Sequence, residues 1–257
     1  MVKVSLEQVS RHFIAQSGVV PALTDLNLSI HQGEFLCIVG PSGCGKSTLL
    51  NLIAGFETPD KGNVLIDGHP VGPPGPDRFV MFQEPALFPW LNVWQNITLS
   101  MRLAGVPRTE RRQKAEEMLQ MVHLAGSADS WIHELSGGMR QRVALARALA
   151  QNPEILLMDE PFGALDAQTR DLLHEEMERI WQQTGKTIVF VTHNVREAVR
   201  LGSRVILLGA RGAGIRQEYT IDLPRNRYLE DVEVVKIASI IRDDIRREVL
   251  VNGRDAS

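Results

Sequence analysis

Gly40-Pro41-Ser42-Gly43-Cys44-Gly45-Lys46-Ser47-Thr48 is the stretch whose reading decides the fold of this 257-residue chain. It has the spacing G-x-x-x-x-G-K-S/T. An apolar run, Glu34 to Val39, precedes it, and Lys46 to Gly55 reads as a helix. Strand, glycine loop and helix in that order let successive backbone N–H groups and a helix N-terminus point at phosphate oxygens. In such a loop Lys46 is placed for β- and γ-phosphates and the Ser47 hydroxyl for Mg²⁺.

Outward from the loop, strand-like runs lie at Lys3 to Val9, Leu23 to Ile30, Gly62 to Asp67 and Arg78 to Phe82, the last after a stiff loop with Pro73, Pro74 and Pro76. From Asn92 to Ala150 the pattern turns helical, with Ala115, Met118, Leu119 and Val122 at helical spacing and a strong helix from Gly138 to Ala150. Strands return at Ile155 to Met158, Lys186 to Thr192 and Arg204 to Leu208, separated by helices from Ala167 to Gln183 and Asn194 to Leu201. This alternation predicts an α/β fold, a mostly parallel sheet with helices on both faces and a helical stretch inserted into it. After Pro224 the tail places Val234, Ile237, Ile241, Ile245 and Val249 on one helical face. Such a stripe packs on the chain's own sheet or serves a partner, and the former is the commoner use.

Composition narrows the function classes. With 44% hydrophobic and 23% charged residues and a formal charge of −3, nothing marks the chain as a nucleic-acid binder. The start, Met1-Val2-Lys3-Val4-Ser5, lacks the pattern of a secretory signal, and no apolar run approaches the ~20 residues that cross a bilayer. Cys37 belongs to an apolar strand and Cys44 to the glycine loop, so neither reads as half of a disulfide, and a reducing cytosol is expected. Cys44 is a small loop residue whose thiol is a candidate for alkylation, not a catalyst.

Two further blocks carry chemistry. Ile155-Leu156-Leu157-Met158-Asp159-Glu160 ends an apolar strand on two carboxylates at the sheet's carboxyl edge, where open α/β sheets bind ligands. Leu135-Ser136-Gly137-Gly138-Met139-Arg140-Gln141 places small residues at a helix N-terminus, a ready anion site. The glycine loop already supplies one such site, so a second makes sense facing another chain. His193 follows a strand and opens a helix, Gln83 ends one, and Phe13 lies in a strand pair. Each of these alone reads as structural.

Phosphate loop, Leu-Ser-Gly-Gly block and acidic strand end, in this order, resemble the ATPase subunit of ATP-binding cassette transporters, over roughly residues 1 to 225. The resemblance implies a P-loop NTPase (RecA-like) core, an N-terminal antiparallel β subdomain and an inserted helical subdomain at about 84–152, followed by a helical tail over 226–257. It implies ATP and Mg²⁺ as ligands: Gly40, Pro41, Ser42, Gly43, Cys44, Gly45, Lys46, Ser47 and Thr48 around the phosphates, and Ser47, Gln83 and Asp159 near the metal. Glu160 polarises the attacking water, and His193 hydrogen-bonds the γ-phosphate. Asn194 stands where relatives more often have Asp, which makes the local charge less negative. Phe13 takes the adenine-stacking place commonly held by Tyr, a contact of roughly 1–3 kcal/mol; its other reading is a core hairpin Phe. Ser136, Gly137 and Gly138 serve the ATP of a second copy. Asp166, in Ala164-Leu165-Asp166, resembles the loop at the dimer seam, its other reading being a cap or turn carboxylate.

Pro74-Gly75-Pro76-Asp77-Arg78, then Phe82 to Trp90, and the short tail resemble ATPases of importers for nitrate, sulfonate, taurine and related small anions. The partners so implied are a second ATPase, two membrane-spanning permease subunits touched near Gln83 to Trp90, and, indirectly, an external solute-binding protein, with the chain on the cytoplasmic face of the membrane. An exporter or lipoprotein-release ATPase, or a soluble cassette ATPase of translation or DNA repair, is the alternative. Two basic clusters have bland readings: Arg108, Arg111, Arg112 and Lys114 as a solvated helix face, and Arg140, Arg142 and Arg147 as intramolecular ion-pair donors.

Overall fold

The computed structural model describes residues 1–15, 18–163 and 165–254, and the chain divides into two compact units, Met1–Gly75 with Thr184–Ser257, and Pro76–Gln183.

The first unit opens with a long hairpin, β1 (Val2–Ala15) and β2 (Gly18–His31), paired antiparallel from Val4 opposite Ile30 to Ala15 opposite Gly18 with register shifts between Leu6 and His12. The sequence shows only the inner half of each strand. There Val4, Leu6 and Val9 face Leu23, Leu26, Leu28 and Ile30 in the core, whereas Phe13, Ile14, Val19 and Val20 near the tip are exposed and follow no core pattern. Next come β3 (Phe35–Val39), α1 (Lys46–Ala54), β4 (Lys61–Ile66) and the two-residue β5 (His69–Pro70). The antiparallel sheet runs β2-β1-β4-β5.

The second unit holds β6 (Arg78–Met81), α2 (Val93–Leu103), α3 (Arg108–Met121), α4 (Gly137–Ala150), β7 (Ile155–Asp159) and α5 (Ala167–Thr184). β6 and β7 pair in parallel, Arg78 opposite Ile155. α2 and α3 pack on α4, which buries Val143, Ala144, Leu145, Ala148 and Leu149. α2 starts cleanly because Asn92 and Gln95 form a reciprocal capping box: the Asn92 side chain accepts from Gln95 N at 2.8 Å and the Gln95 side chain from Asn92 N at 3.0 Å.

The rest of the first unit is β8 (Thr187–Val191), α6 (Val195–Leu201), β9 (Arg204–Leu208), β10 (Ile215–Thr220) and α7 (Val232–Arg254). β3 lies between β8 and β9, parallel to both, and every residue of β3 and β8 is buried. Continuous apolar runs of this kind belong to parallel strands covered on both faces. β10 joins β9 antiparallel, making the sheet mixed. It is absent from the sequence reading because Ile215-Arg216-Gln217-Glu218-Tyr219-Thr220 is a largely exposed strand with no buried residue to mark it. α7 packs on α6 through Val234, Ala238 and Ile241, whereas Val249, further along the expected stripe, is exposed. Its second half is held to β10 by polar contacts, Tyr219 Oη to Asp244 at 2.6 Å and Arg216 to Glu248 at 3.1 Å.

One buried side chain joins these elements. Arg227 is 4% exposed and donates to the carbonyls of Val199 and Gly202 at the end of α6, and to those of Ile221, Leu223 and Pro224. A cation at a helix C-terminus satisfies carbonyls that the helix leaves open. Replacing Arg227 by Met strands several of these acceptors in the interior, at a cost of about 3 kcal/mol or more. Thermal unfolding of Arg227→Met should begin roughly 6–12 °C below the parent; an unchanged midpoint would show that the clamp is dispensable.

Candidate functional site

The glycine loop leaves β3 at its carboxyl end and runs into α1. A Cβ on Gly45, whose φ is +98°, would lie 2.4 Å from the Ala22 carbonyl oxygen of β2. Only glycine permits that approach, which braces the loop against the hairpin carrying Phe13. Lys46 is 9% exposed and folds its ammonium over the loop, donating to the carbonyls of Gly40 and Pro41, both at 3.0 Å. Ser42, Gly43 and Ser47 are exposed. The loop therefore presents small groups and backbone to solvent with a cation held at its centre.

Ile38 stands opposite Val191 in the parallel β3–β8 pair, and Thr192 N donates to the Ile38 carbonyl at 3.2 Å. His193 thus emerges at the same sheet edge as the glycine loop. Its flanks are fixed. Thr192 Oγ1 donates to the buried Glu197 carboxylate and accepts from Asn194 N at 3.0 Å. The Asn194 side chain caps α6 by accepting from Arg196 N and Glu197 N. Asn and Asp cap equally well, so the exchange noted at this position leaves the cap intact. Phe13 is 39% exposed near the hairpin tip, with the Arg11 guanidinium 5.0 Å from its ring centroid. It is no core residue; its ring is available for stacking.

The remaining candidates lie in the second unit. Asp159 ends β7 and Glu160 follows with φ +46°, a left-handed conformation that a non-glycine residue adopts at a cost. Ser136 caps α4, accepting from Met139 N at 3.3 Å. Ser136 and Gly137 are exposed, and a Cβ on Gly137 would meet nothing within 4 Å. Gly138 differs: a Cβ there would lie 2.8 Å from Thr169 Cγ2 of α5, so it lets the start of α4 approach α5. Asp166 accepts from Thr169 N at 2.9 Å, and this bond holds its carboxyl below the usual carboxylate range. Its cap role is real, and the side chain remains at the surface. Ala164 lies outside the described residues.

Gln83 is exposed after β6 and, with Pro85, Gly137, Arg140, Gln141 and Leu165, lines a cavity of about 720 Å³. The second unit thereby brings Gln83 and the N-terminus of α4 to one cavity. Gln141 is 3% exposed and its Nε2 has no hydrogen-bond partner among the described residues.

Three positioning residues escaped the sequence reading. Arg147 makes no ion pair among the described residues, contrary to expectation. It donates to the carbonyls of Pro85 and Ala86 at 3.1 and 2.9 Å, tying α4 to the segment after Gln83, and burial lowers its pKa. Asn96, fully buried, bonds both N–H and C=O of Phe88 and the Leu91 carbonyl, fixing the rest of that segment. Thr192 is the third. A polar residue set among apolar ones in a helix or strand is the only sequence signal any of them gives.

A family model described as ABC transporter matches residues 23–163. The chain belongs to the ABC transporter family. A taurine import ATP-binding protein of Burkholderia pseudomallei is 46% identical over 93% of this chain and 92% of its own length. A nitrate import ATP-binding protein of Synechocystis is 48% identical over 85% and 82%. An uncharacterized ABC transporter ATP-binding protein of Methanocaldococcus jannaschii is 46% identical over 96% and 94%. Among solved structures, a dimeric ATP-binding cassette in a post-hydrolysis state with ADP and Pi superposes with a TM-score of 0.75 at 35% identity, covering 86% of this chain and all of that one. As a member of this family the chain is an ATPase coupled to transport.

The two thiols give a simple check on the site's packing. Cys37 and Cys44 are buried, and burial raises both above the usual thiol pKa. The thiolate is the reactive form, so Cys44 is no alkylation target in the folded chain. N-ethylmaleimide at neutral pH should label neither thiol in the time the unfolded chain labels both; rapid labelling of native Cys44 would show an open loop.

Proposed function

We propose that two copies of this chain bind ATP at their mutual seam, each triphosphate held by Gly40–Thr48 of one copy and Ser136–Gly138 of the other. The observation that carries this reading is the exposed N-terminus of α4, with Ser136 as cap and open space at Gly137. The helix leaves its first N–H groups without intrahelical partners, and a second phosphate-binding terminus is redundant within one copy. That a related cassette is dimeric with ADP and Pi supports it.

Within this site Lys46 exchanges its loop carbonyls for β- and γ-phosphate oxygens. Phe13 offers its ring to the base, and Asp166 lies at the seam. Glu160 accepts a proton from the attacking water and His193 donates to the γ-phosphate, orienting an in-line displacement. The Ser47 hydroxyl, the Gln83 amide oxygen and the Asp159 carboxylate would hold Mg²⁺. All three are hard oxygen donors, and one carboxylate shared with substrate phosphates is the usual Mg²⁺ set. When bound, Mg²⁺ offsets charge on the transferring phosphoryl group.

Closure of the pair drives import of a small anion of the taurine, sulfonate or nitrate class; taurine and nitrate are the substrates named for similar chains. No described helix is long and apolar enough to cross a membrane. In this reading passage belongs to two permease subunits, contacted near Gln83 to Trp90 and fed by an external solute-binding protein, with this chain on the cytoplasmic face of the inner membrane. The Asn96 and Arg147 bonds make that segment stiff enough to transmit the movement of α4.

Glu160→Gln should bind ATP, hydrolyse it at least a hundredfold more slowly and accumulate as an ATP-bound dimer in size-exclusion chromatography; normal turnover would remove Glu160 from the chemistry. Ser136→Arg should keep single-copy ATP binding and lose hydrolysis. A collapse of monomer affinity in that variant would place Ser136 in cis.

A further inference from the structure

On the basic face of α3, Arg108 and Arg112 are exposed, as expected of a solvated face, while Arg111 is half-buried. Arg108 and Arg111 place their guanidinium carbons 5.8 and 5.6 Å from the centroid of the Trp94 ring on α2. With Arg102, Gln95 and Thr98 these residues line a cavity of about 270 Å³ that contains no carboxylate. Trp94 Nε1 and Arg111 Nε are buried without a hydrogen-bond partner among the described residues. None of Arg102, Arg108 and Arg111 forms an ion pair among the described residues. Glu116, held by Arg112 at 3.0 Å, and Asp129 line a separate, smaller cavity that also includes Trp94 and Arg108. Glu110, in the first turn of α3, is exposed and lines neither cavity.

Arg111 is half-buried beside the exposed Arg102 and Arg108, so the small space they line is positive on one side with no carboxylate in its lining. Their planar forks match the oxygens of an oxyanion, and a buried indole N–H is a donor in want of an acceptor. We propose that the α2–α3 cavity is a binding site for a small tetrahedral oxyanion of the sulfate, sulfonate or phosphate type. The site is distinct from the nucleotide site, with no residue in the glycine loop or at the α4 terminus, and does not rest on the reaction proposed above. The same oxygens are offered by a free anion and by an anionic lipid headgroup.

The test uses the full ¹⁵N-labelled chain with ADP at saturation, so that the glycine loop is filled. Sodium sulfate is titrated against sodium chloride of equal ionic strength. The reporter is the Trp94 indole N–H resonance, assigned by its loss in Trp94→Phe. Sulfate should move it saturably, and Arg111→Gln and Arg108→Gln, both folded by their spectra, should each weaken binding at least tenfold. Sedimentation with phosphatidylglycerol vesicles, against phosphatidylcholine vesicles, separates the sources. Arginine-dependent sedimentation competed by sulfate assigns the headgroup, and its absence alongside the sulfate response assigns the free anion. No arginine-dependent response to either probe would overturn the site.

Discussion

The closest backbone approach in the site is the constraint on which the rest depends: Gly45 against the Ala22 carbonyl, with no room for a methyl group. It sets the height of the glycine loop above the sheet and aims the start of α1. It also couples the loop to the hairpin that carries Phe13. Lys46 completes the arrangement from inside, its ammonium neutralised by dipoles of two loop carbonyls and not by a carboxylate. A cation held by neutral acceptors, two carbonyls and the Cys44 sulfur at 3.7 Å, is readily exchanged for phosphate oxygens, whose negative charge attracts it more strongly. The loop is thus preformed yet poised to give up its own contacts.

A second theme is that chemistry-bearing residues sit beside positions of fixed geometry. His193 lies between Thr192 and Asn194, both bonded into α6. Glu160 follows Asp159, the last residue of an otherwise apolar strand, in a left-handed backbone conformation. Ser136 is held by Met139 N, and Gly138 is pressed on α5. Small side chains at the exposed termini and rigid bonding one residue away suit the proposed meeting with a partner's phosphate without rearrangement.

Much of this was legible in the sequence because two signals are strong there. Buried parallel strands appear as apolar runs, and Phe35–Val39 and Thr187–Val191 are legible to within a residue at each end, as Glu34 to Val39 and Lys186 to Thr192. Glycine spacing marked the phosphate loop, since backbone approach and anion binding tolerate few alternatives. What escaped was structure with polar surroundings. β10 is largely exposed, the hairpin tip carries its apolar residues outward, and α7 turns from packed to polar-tethered midway. Within the site, Arg147 and Asn96 bond backbone carbonyls, and such partners leave no pattern of charges or spacing. The arginines beside Trp94 read as a solvated face because a helix periodicity shows which side is polar, not what stands opposite it.

The claim that nucleotide is shared between copies is tested most directly by mixing two inactive variants, Lys46→Ala and Ser136→Arg. A mixed pair contains one site with both lesions and one site built from an intact glycine loop and an intact α4 terminus. ATP turnover in the mixture well above the sum of the separate variants is predicted. No gain on mixing, with mixed pairs demonstrated in solution, would contradict it.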